Sequence, residues 1–82
     1  MESQIFTKIK EVIVKLLEVE GEQVTMQASF RDDLGADSLD IVELGLELEK
    51  MYSLTISEGD YSQLQTVGDA VSYLMQRMAA AE

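Results

Sequence analysis

The sequence predicts an all-α fold, a small four-helix bundle of three main helices and one short helix, with a long loop between the first two. Two observations lead to this prediction. Apolar residues recur at helical spacing in three long segments, and the alternating pattern that is typical of strands is nearly absent. Three amphipathic helices in 82 residues must share one core, so we expect residues 1–82 to form a single domain.

The first helix is predicted over residues 3–19. Ser3 is a suitable N-cap, and Glu20-Gly21 is a suitable stop. The helical spacing that defines its buried face is carried by Ile5, Ile9, Val12, Ile13, Leu16 and Leu17.

The long loop is predicted over residues 21–37, which show no sustained periodicity. A loop of this length stays ordered only where apolar side chains attach it to the core. We expect Val24, Phe30 and Leu34 to do so. Because the loop is long, the first two helices need not follow a simple up-down arrangement.

The second helix is predicted from Ser38 to Met51 or Tyr52. Its apolar residues divide between two faces. One stripe, expected to be buried, consists of Ile41, Leu44, Leu48 and Met51. Val42 and Leu46 lie off this stripe, and their spacing alone leaves open whether they are core or surface residues.

The last third of the chain predicts a short helix and a long one. After a connection at residues 53–56, residues 58–63 form a weak helical turn that contains Gly59. Thr66 and Asp69 then form a variant of the capping box, which marks the start of the last helix. Its apolar stripe, which Ala70 and Met75 can widen, is Val67, Val71, Leu74 and Met78.

The charge is strongly negative and unevenly placed. The net charge is −10, from 16 acidic and 6 basic residues, which disfavours nucleic acid and anionic membrane surfaces as partners and favours proteins with basic patches. Lys50 is the single cation among nine carboxylates that lie between residues 32 and 60: Asp32, Asp33, Asp37, Asp40, Glu43, Glu47, Glu49, Glu58 and Asp60. This segment is either a solvated acidic face or a docking face. The concentration of its acidic residues around Ser38 favours a docking face.

The residue inventory argues against catalysis and against a metal site. Histidine and cysteine are absent, so no Ser-His triad, thiolate nucleophile or cysteine-based zinc site is available. A calcium-binding loop that started at Asp32 would place Leu34 and Ala36 at ligand positions, and Asp37 at its required glycine. We therefore expect no catalytic residues and no resident metal. We also expect no membrane insertion, because Lys8, Lys10, Glu11 and Lys15 interrupt the apolar N-terminal segment.

Ser38 is the residue best suited to modification. It follows a glycine-containing turn and opens the second helix, where unpaired N–H groups and the positive end of the helix dipole tolerate a phosphoester well. Asp37 and Asp40 flank it, and the chain has no histidine to act as a base. Ser38 is therefore interpreted as a group that another protein acts on.

Several segments closely resemble an acyl carrier protein. The core of the resemblance is the run of eight residues 33–40, Asp-Leu-Gly-Ala-Asp-Ser-Leu-Asp. Further matching segments, which extend it over nearly the whole chain, are Val24-Thr25, Ala28-Ser29-Phe30, Val42-Glu43-Leu44, Leu48-Glu49, Ile56 and Thr66-Val67.

The resemblance implies a specific chemistry. A phosphopantetheinyl transferase would attach 4′-phosphopantetheine from coenzyme A to Ser38. The thiol of this arm would then carry acyl chains as thioesters between enzymes of fatty-acid or polyketide synthesis. Asp37 resembles the aspartate that helps to hold a metal ion at the transferase interface, although it can equally serve the helix dipole. We expect a cytoplasmic monomer.

The second helix resembles the acidic recognition helix of this family. Asp40, Glu43, Glu47 and Glu49 match its acidic residues in kind, and basic patches of synthases and transferases would dock against them. Leu39 matches a hydrophobic contact beside the modified serine, although a leucine is more often part of a core. Val42 and Leu46 fall where the family has exposed apolar contacts.

The chain departs from the family at Gly45, Ser57 and Tyr61. Gly45 stands where a branched apolar residue commonly faces the interior, and our hypothesis is that it opens room for an acyl chain. Ordinary drift of surface residues is the alternative. Two other functions are weighed against an acyl carrier: an aminoacyl or peptidyl carrier, and an unmodified acidic interaction module in which Ser38 is only a helix N-cap.

Overall fold

The computed structural model describes residues 2–80. It contains helix α1 (Glu2–Leu17), helix α2 (Ser38–Tyr52) and helix α3 (Val67–Ala80). Two 3₁₀ helices, Gly21–Gln23 and Glu58–Gln63, lie in the connections. The predicted all-α class, with three main helices, a short helix and a long loop after the first helix, is confirmed.

Helix α1 buries one face through Ile5, Ile9 and Ile13. It ends two residues earlier than predicted, because Glu18 adopts a left-handed backbone conformation with φ of 55°, which no helix can continue. Ser3 is not the N-cap that we expected. It lies within the helix, and its carbonyl accepts a hydrogen bond of 2.8 Å from the Thr7 hydroxyl.

The long loop is attached to the core as predicted, since Val24, Phe30 and Leu34 are all buried. Backbone hydrogen bonds also join it to the residues that precede and open α3. The Phe30 amide donates to the Gln65 carbonyl at 3.0 Å, and the Val67 amide donates to the Ala28 carbonyl at the same distance. The segment just before the second helix is therefore held by both side chains and backbone.

Helix α2 has the predicted bounds. Ile41, Leu44 and Leu48 form its buried stripe. Met51 was predicted to belong to this stripe, and that prediction is wrong, because its side chain is 39% exposed near the end of the helix. The helix stops where Ser53 turns into the left-handed region with φ of 53°.

Helix α3 begins with the predicted capping box. The Asp69 amide donates to the Thr66 hydroxyl at 3.1 Å, and the Thr66 amide donates to the Asp69 carboxylate at 3.0 Å. Val67, Val71 and Leu74 are buried, whereas the predicted stripe residue Met78 is only half-buried.

The three helices enclose one core. Helix α1 packs closely against both α2 and α3, and the Glu58–Gln63 helix packs against α2. The core extends into the long loop through Ala28, Phe30 and Ala36. Among the residues that the structure describes, no helix is long and apolar enough to cross a membrane.

A polar chain fixes the Glu58–Gln63 helix to α3. The buried Tyr73 donates its hydroxyl hydrogen to the Asp60 carboxylate at 2.7 Å, and Arg77 donates to the Tyr73 hydroxyl at 2.7 Å. The hydrogen bond from Tyr73 is the main cause that lowers the pKa of Asp60 below its usual value. The position of this short helix therefore depends in part on one carboxylate.

We expect the stability that the Asp60 charge contributes to depend on pH. Because its folded pKa is lowered, this contribution is complete above the unfolded pKa of about 3.9 and disappears as the pH falls through the folded pKa. Asp60→Asn should therefore melt below the wild type at neutral pH, and the two melting temperatures should converge in acid. Glu58→Gln removes a neighbouring charge and is the control. A constant difference between Asp60→Asn and wild type at every pH would contradict the prediction.

Candidate functional site

Ser38 is the first residue of α2, and its side chain is exposed. Its hydroxyl does not cap the helix, because Asp37 is the N-cap. The Asp40 amide donates to the Asp37 carboxylate at 2.9 Å, and the Asp37 amide donates to the Asp40 carboxylate at 3.2 Å. Ser38 is therefore not the helix N-cap that the interaction-module alternative assumed, and its oxygen remains available to a partner.

The turn before Ser38 is fixed by its backbone. Gly35 has φ of 70°, a left-handed conformation that glycine adopts at little cost. The Ala36 amide then donates to the Phe30 carbonyl at 2.7 Å, and Ala36 is itself buried. The Asp33 carboxylate closes the preceding turn by accepting from the Ser29 amide at 2.7 Å. Ser38 is thus presented on a rigid corner of the fold.

Arg31 lies beside Ser38 and is a site residue that the sequence analysis missed. Its Nη2 donates to the Ser38 hydroxyl oxygen at 3.0 Å. The only sequence signal was a cation directly before the acidic segment, seven residues before the serine. An arginine donor and a helix N-terminus are both favourable partners of a phosphate oxygen. The surroundings of Ser38 therefore fit a phosphodiester.

A cleft of about 480 Å³ opens next to Ser38. Polar residues at its mouth include Arg31 and Ser38, and its apolar lining includes Ile41, Val42 and Leu64. Tyr61 from the Glu58–Gln63 helix forms another part of the lining. Cargo tethered at Ser38 would thus meet exposed polar groups beside the buried apolar side chains of Ile41 and Leu64.

The outer face of α2 carries an exposed apolar strip beside an exposed acidic one. All four of the large hydrophobic residues that are exposed in the described part of the chain lie on this helix: Leu39 at 68%, Val42 at 41%, Leu46 at 48% and Met51 at 39%. Leu39, Val42 and Leu46 are therefore surface residues, and the alternative that they belong to the core is wrong. We call Leu39, Val42, Leu46 and the exposed Glu43 and Glu47 the α2 face.

Two other predicted residues of this surface have their carboxylates engaged inside the protein. Asp40 is half-buried and forms part of the capping box. Glu49 is half-buried, and its Oε2 accepts a hydrogen bond of 2.6 Å from the Ile56 amide. The structure does not bring Glu49 together with the α2 face but uses it to hold the segment that follows the helix. Across residues 2–80 no group of three or more acidic side chains is arranged to hold a metal ion.

Gly45 does not leave an open space, contrary to our hypothesis. Gly45 is buried, and a Cβ built on it would lie 2.5 Å from Cε1 and 2.7 Å from Cζ of Tyr61. The tyrosine ring therefore occupies the volume that the missing side chain vacates. The two departures from the family are a single packing arrangement.

Comparisons with known proteins agree with this geometry. A family model for a phosphopantetheine attachment site matches residues 7–74. The structure is also similar to that of the acyl carrier protein from Enterococcus faecalis, with 36% sequence identity and a TM-score of 0.78. The match covers 93% of this chain and 96% of that chain.

The matched family is defined by a 4′-phosphopantetheine group that is covalently attached to the protein. Its members are carriers and not catalysts, and they interact with transferases and synthases. The family model covers more than half of the chain, and the structural match extends over nearly all of it. The chain therefore belongs to the acyl carrier proteins.

Proposed function

We propose that Ser38 is the attachment residue for 4′-phosphopantetheine, and that the protein carries acyl intermediates as thioesters for fatty-acid or polyketide synthesis. The assignment rests on the exposed hydroxyl of Ser38 at the first position of α2. Asp37, and not Ser38, caps this helix. When attached, the arm supplies the thiol that this cysteine-free chain lacks. The protein itself works in the cytoplasm as a one-domain monomer.

Arg31 and Asp37 have separate roles in this proposal. The Arg31 guanidinium donates a hydrogen bond to the Ser38 oxygen. It is therefore close enough to pair with an oxygen of a phosphate attached to Ser38. Asp37 uses Oδ1 to accept from the Asp40 amide, so its second carboxylate oxygen can face a metal ion brought by the transferase. The helix N-terminus adds a favourable field for the phosphodiester charge.

The α2 face is the proposed docking surface for the transferase and for the enzymes that receive the acyl chain. Leu39, Val42 and Leu46 provide apolar contact area, since they are exposed on one side of the helix close to Ser38. Glu43 and Glu47 provide the charge that steers a basic partner. Each exposed ion pair contributes only about 0–1 kcal/mol, so the acidic residues act mainly on encounter rate and orientation.

The proposal is tested by loading the purified protein. Incubation with coenzyme A, magnesium and a broad-specificity phosphopantetheinyl transferase should add the mass of one 4′-phosphopantetheine group, and Ser38→Ala should abolish the addition. Ser62→Ala is the matched control, because Ser62 lines the same cleft and should not affect loading.

Two outcomes would overturn the assignment. Addition of the group to Ser38→Ala would place the attachment at another residue. A wild-type protein that remains unmodified would instead favour the acidic interaction module. If loading succeeds, mass spectrometry of the carrier from its native cell distinguishes acyl cargo from aminoacyl or peptidyl cargo.

A further inference from the structure

We propose that Tyr61, seated on Gly45, is the inner stop of the cleft beside Ser38 and limits the length of acyl chain that the protein can shelter. This inference rests on the proposed carrier function and adds a specificity-determining residue to it. It concerns how far cargo can enter the protein, and not whether the arm is attached.

Four residues of α2 share the side of the helix that begins at Ser38. Ser38, Ile41, Val42 and Gly45 are spaced at 3, 4 and 7 residues, so they lie along one side of the helix. Ser38, Ile41 and Val42 line the cleft directly. The wall of the cleft that α2 forms runs about 10 Å from Ser38 to the level of Gly45, at 1.5 Å per residue.

At the level of Gly45 the cleft meets the ring of Tyr61. The Tyr61 ring lines the cleft and also occupies the position of a side chain at Gly45. With the ring in place, the side of α2 at Gly45 is covered by an aromatic group from the opposite wall. The cleft therefore ends at this ring, and a longer chain reaches the space over Gly45 only if the ring moves.

The ring of Tyr61 is held through the backbone of a short helix. Tyr61 belongs to the Glu58–Gln63 helix, which packs against α2. The carboxylate of the preceding residue, Asp60, accepts a hydrogen bond of 2.7 Å from the buried Tyr73 of α3. The backbone that carries Tyr61 is thus fixed between two helices, whereas the ring itself is only half-buried and attached through rotatable bonds. The backbone position of Tyr61 is therefore fixed, whereas its ring can be displaced by rotation or removed by substitution.

The experiment measures thermal stability for a ladder of acyl chains. Wild type, Tyr61→Ala, Tyr61→Leu and Tyr61→Phe are each prepared as the holo form and as butanoyl, octanoyl, dodecanoyl and hexadecanoyl thioesters, and mass spectrometry verifies each form. The quantity compared is the rise in melting temperature over the same variant's holo form, because a chain that binds only the folded state raises it. Comparing each variant with itself removes the cost of the substitution.

We expect the rise in the wild type to level off at a shorter chain than in Tyr61→Ala. Beyond that length, the rise in melting temperature should be larger in Tyr61→Ala than in the wild type by about 5 °C or more, since 1 kcal/mol corresponds to about 4–8 °C in a domain of this size. Tyr61→Phe keeps the ring and should reproduce the wild-type profile. Tyr61→Leu should level off between the two.

The inference is overturned if wild type and Tyr61→Ala level off at the same chain length, or if Tyr61→Phe behaves like Tyr61→Ala. A profile that is flat for every chain and variant would overturn it as well, because no chain would then be sheltered in the cleft. None of these results touches the attachment at Ser38, which the loading experiment with Ser38→Ala tests independently.

Discussion

Phe30→Ala should lower the free energy of unfolding by about 3–5 kcal/mol, the usual cost of removing a buried aromatic side chain. Phe30 is 1% exposed and is the largest of the fully buried side chains in the described part of the protein. Small domains have total stabilities of about 5–15 kcal/mol, so this loss is a large fraction of the whole. Urea denaturation followed by circular dichroism would measure it.

The loss should extend to the site, because Phe30 also fixes the turn that presents Ser38. Its amide donates to the Gln65 carbonyl at 3.0 Å, and its carbonyl accepts from the Ala36 amide at 2.7 Å. A cavity under this segment would loosen both bonds. We therefore expect the Phe30→Ala protein to be loaded more slowly by the transferase even at temperatures where it is folded.

Phe6→Ala is the matched control for Phe30→Ala. It removes the same chemical group from a half-buried position on α1. Less apolar area returns to water and the surroundings are freer to relax, so the loss of stability should be clearly smaller. An equal or larger loss for Phe6→Ala would show that Phe30 is not the main anchor of the loop.

The features of this protein that the sequence predicts are those that depend on neighbouring residues. Helical spacing identified all three helices, and the Thr66 and Asp69 pair marked the start of α3, because capping requires only residues three apart. The eight-residue motif at residues 33–40 likewise indicated Ser38, because its residues are consecutive in the sequence. The burial of Phe30 also followed, because a long loop needs an apolar attachment.

The features that the sequence did not predict depend on residues brought together by the tertiary fold. Nothing local in the sequence places the Tyr61 ring against Gly45 or the Glu49 carboxylate on the Ile56 amide. Met51 has the spacing of a core residue, but its side chain is 39% exposed in the last turn of α2, where it lines an open groove with Val12 and Leu16 of α1. The bond from Arg31 to Ser38 exists only because the turn at Gly35 folds the chain back.

Reversing two charges on the α2 face should slow recognition strongly. We expect the double variant Glu43→Lys, Glu47→Lys to be loaded at least about tenfold more slowly at low ionic strength, since electrostatic steering changes association rates by about 10–10³-fold. Both residues are exposed on the same helix as Ser38. The measurement is kcat/KM for transfer of the phosphopantetheine group, with folding monitored by circular dichroism.

Stability should change little in this double variant. Glu47 makes one ion pair, at 3.8 Å to Lys50, and an exposed pair of this kind contributes about 0–1 kcal/mol. The reduced loading should also weaken as salt is added, because the screening length falls to about 10 Å at 0.1 M ionic strength. A loss that does not depend on salt would point to direct contacts rather than steering.

The matched control separates the position of the charge from its amount. Glu2→Lys combined with Glu22→Lys also changes the net charge from −10 to −6, but at exposed residues in α1 and in the Gly21–Gln23 helix. If steering depends on the field around Ser38, this control should be loaded at nearly the wild-type rate. Equal slowing in both double variants would mean that total charge controls recognition, and unchanged loading in both would mean that Glu43 and Glu47 have no part in it. Slowing confined to the α2 face is the result that a docking surface requires.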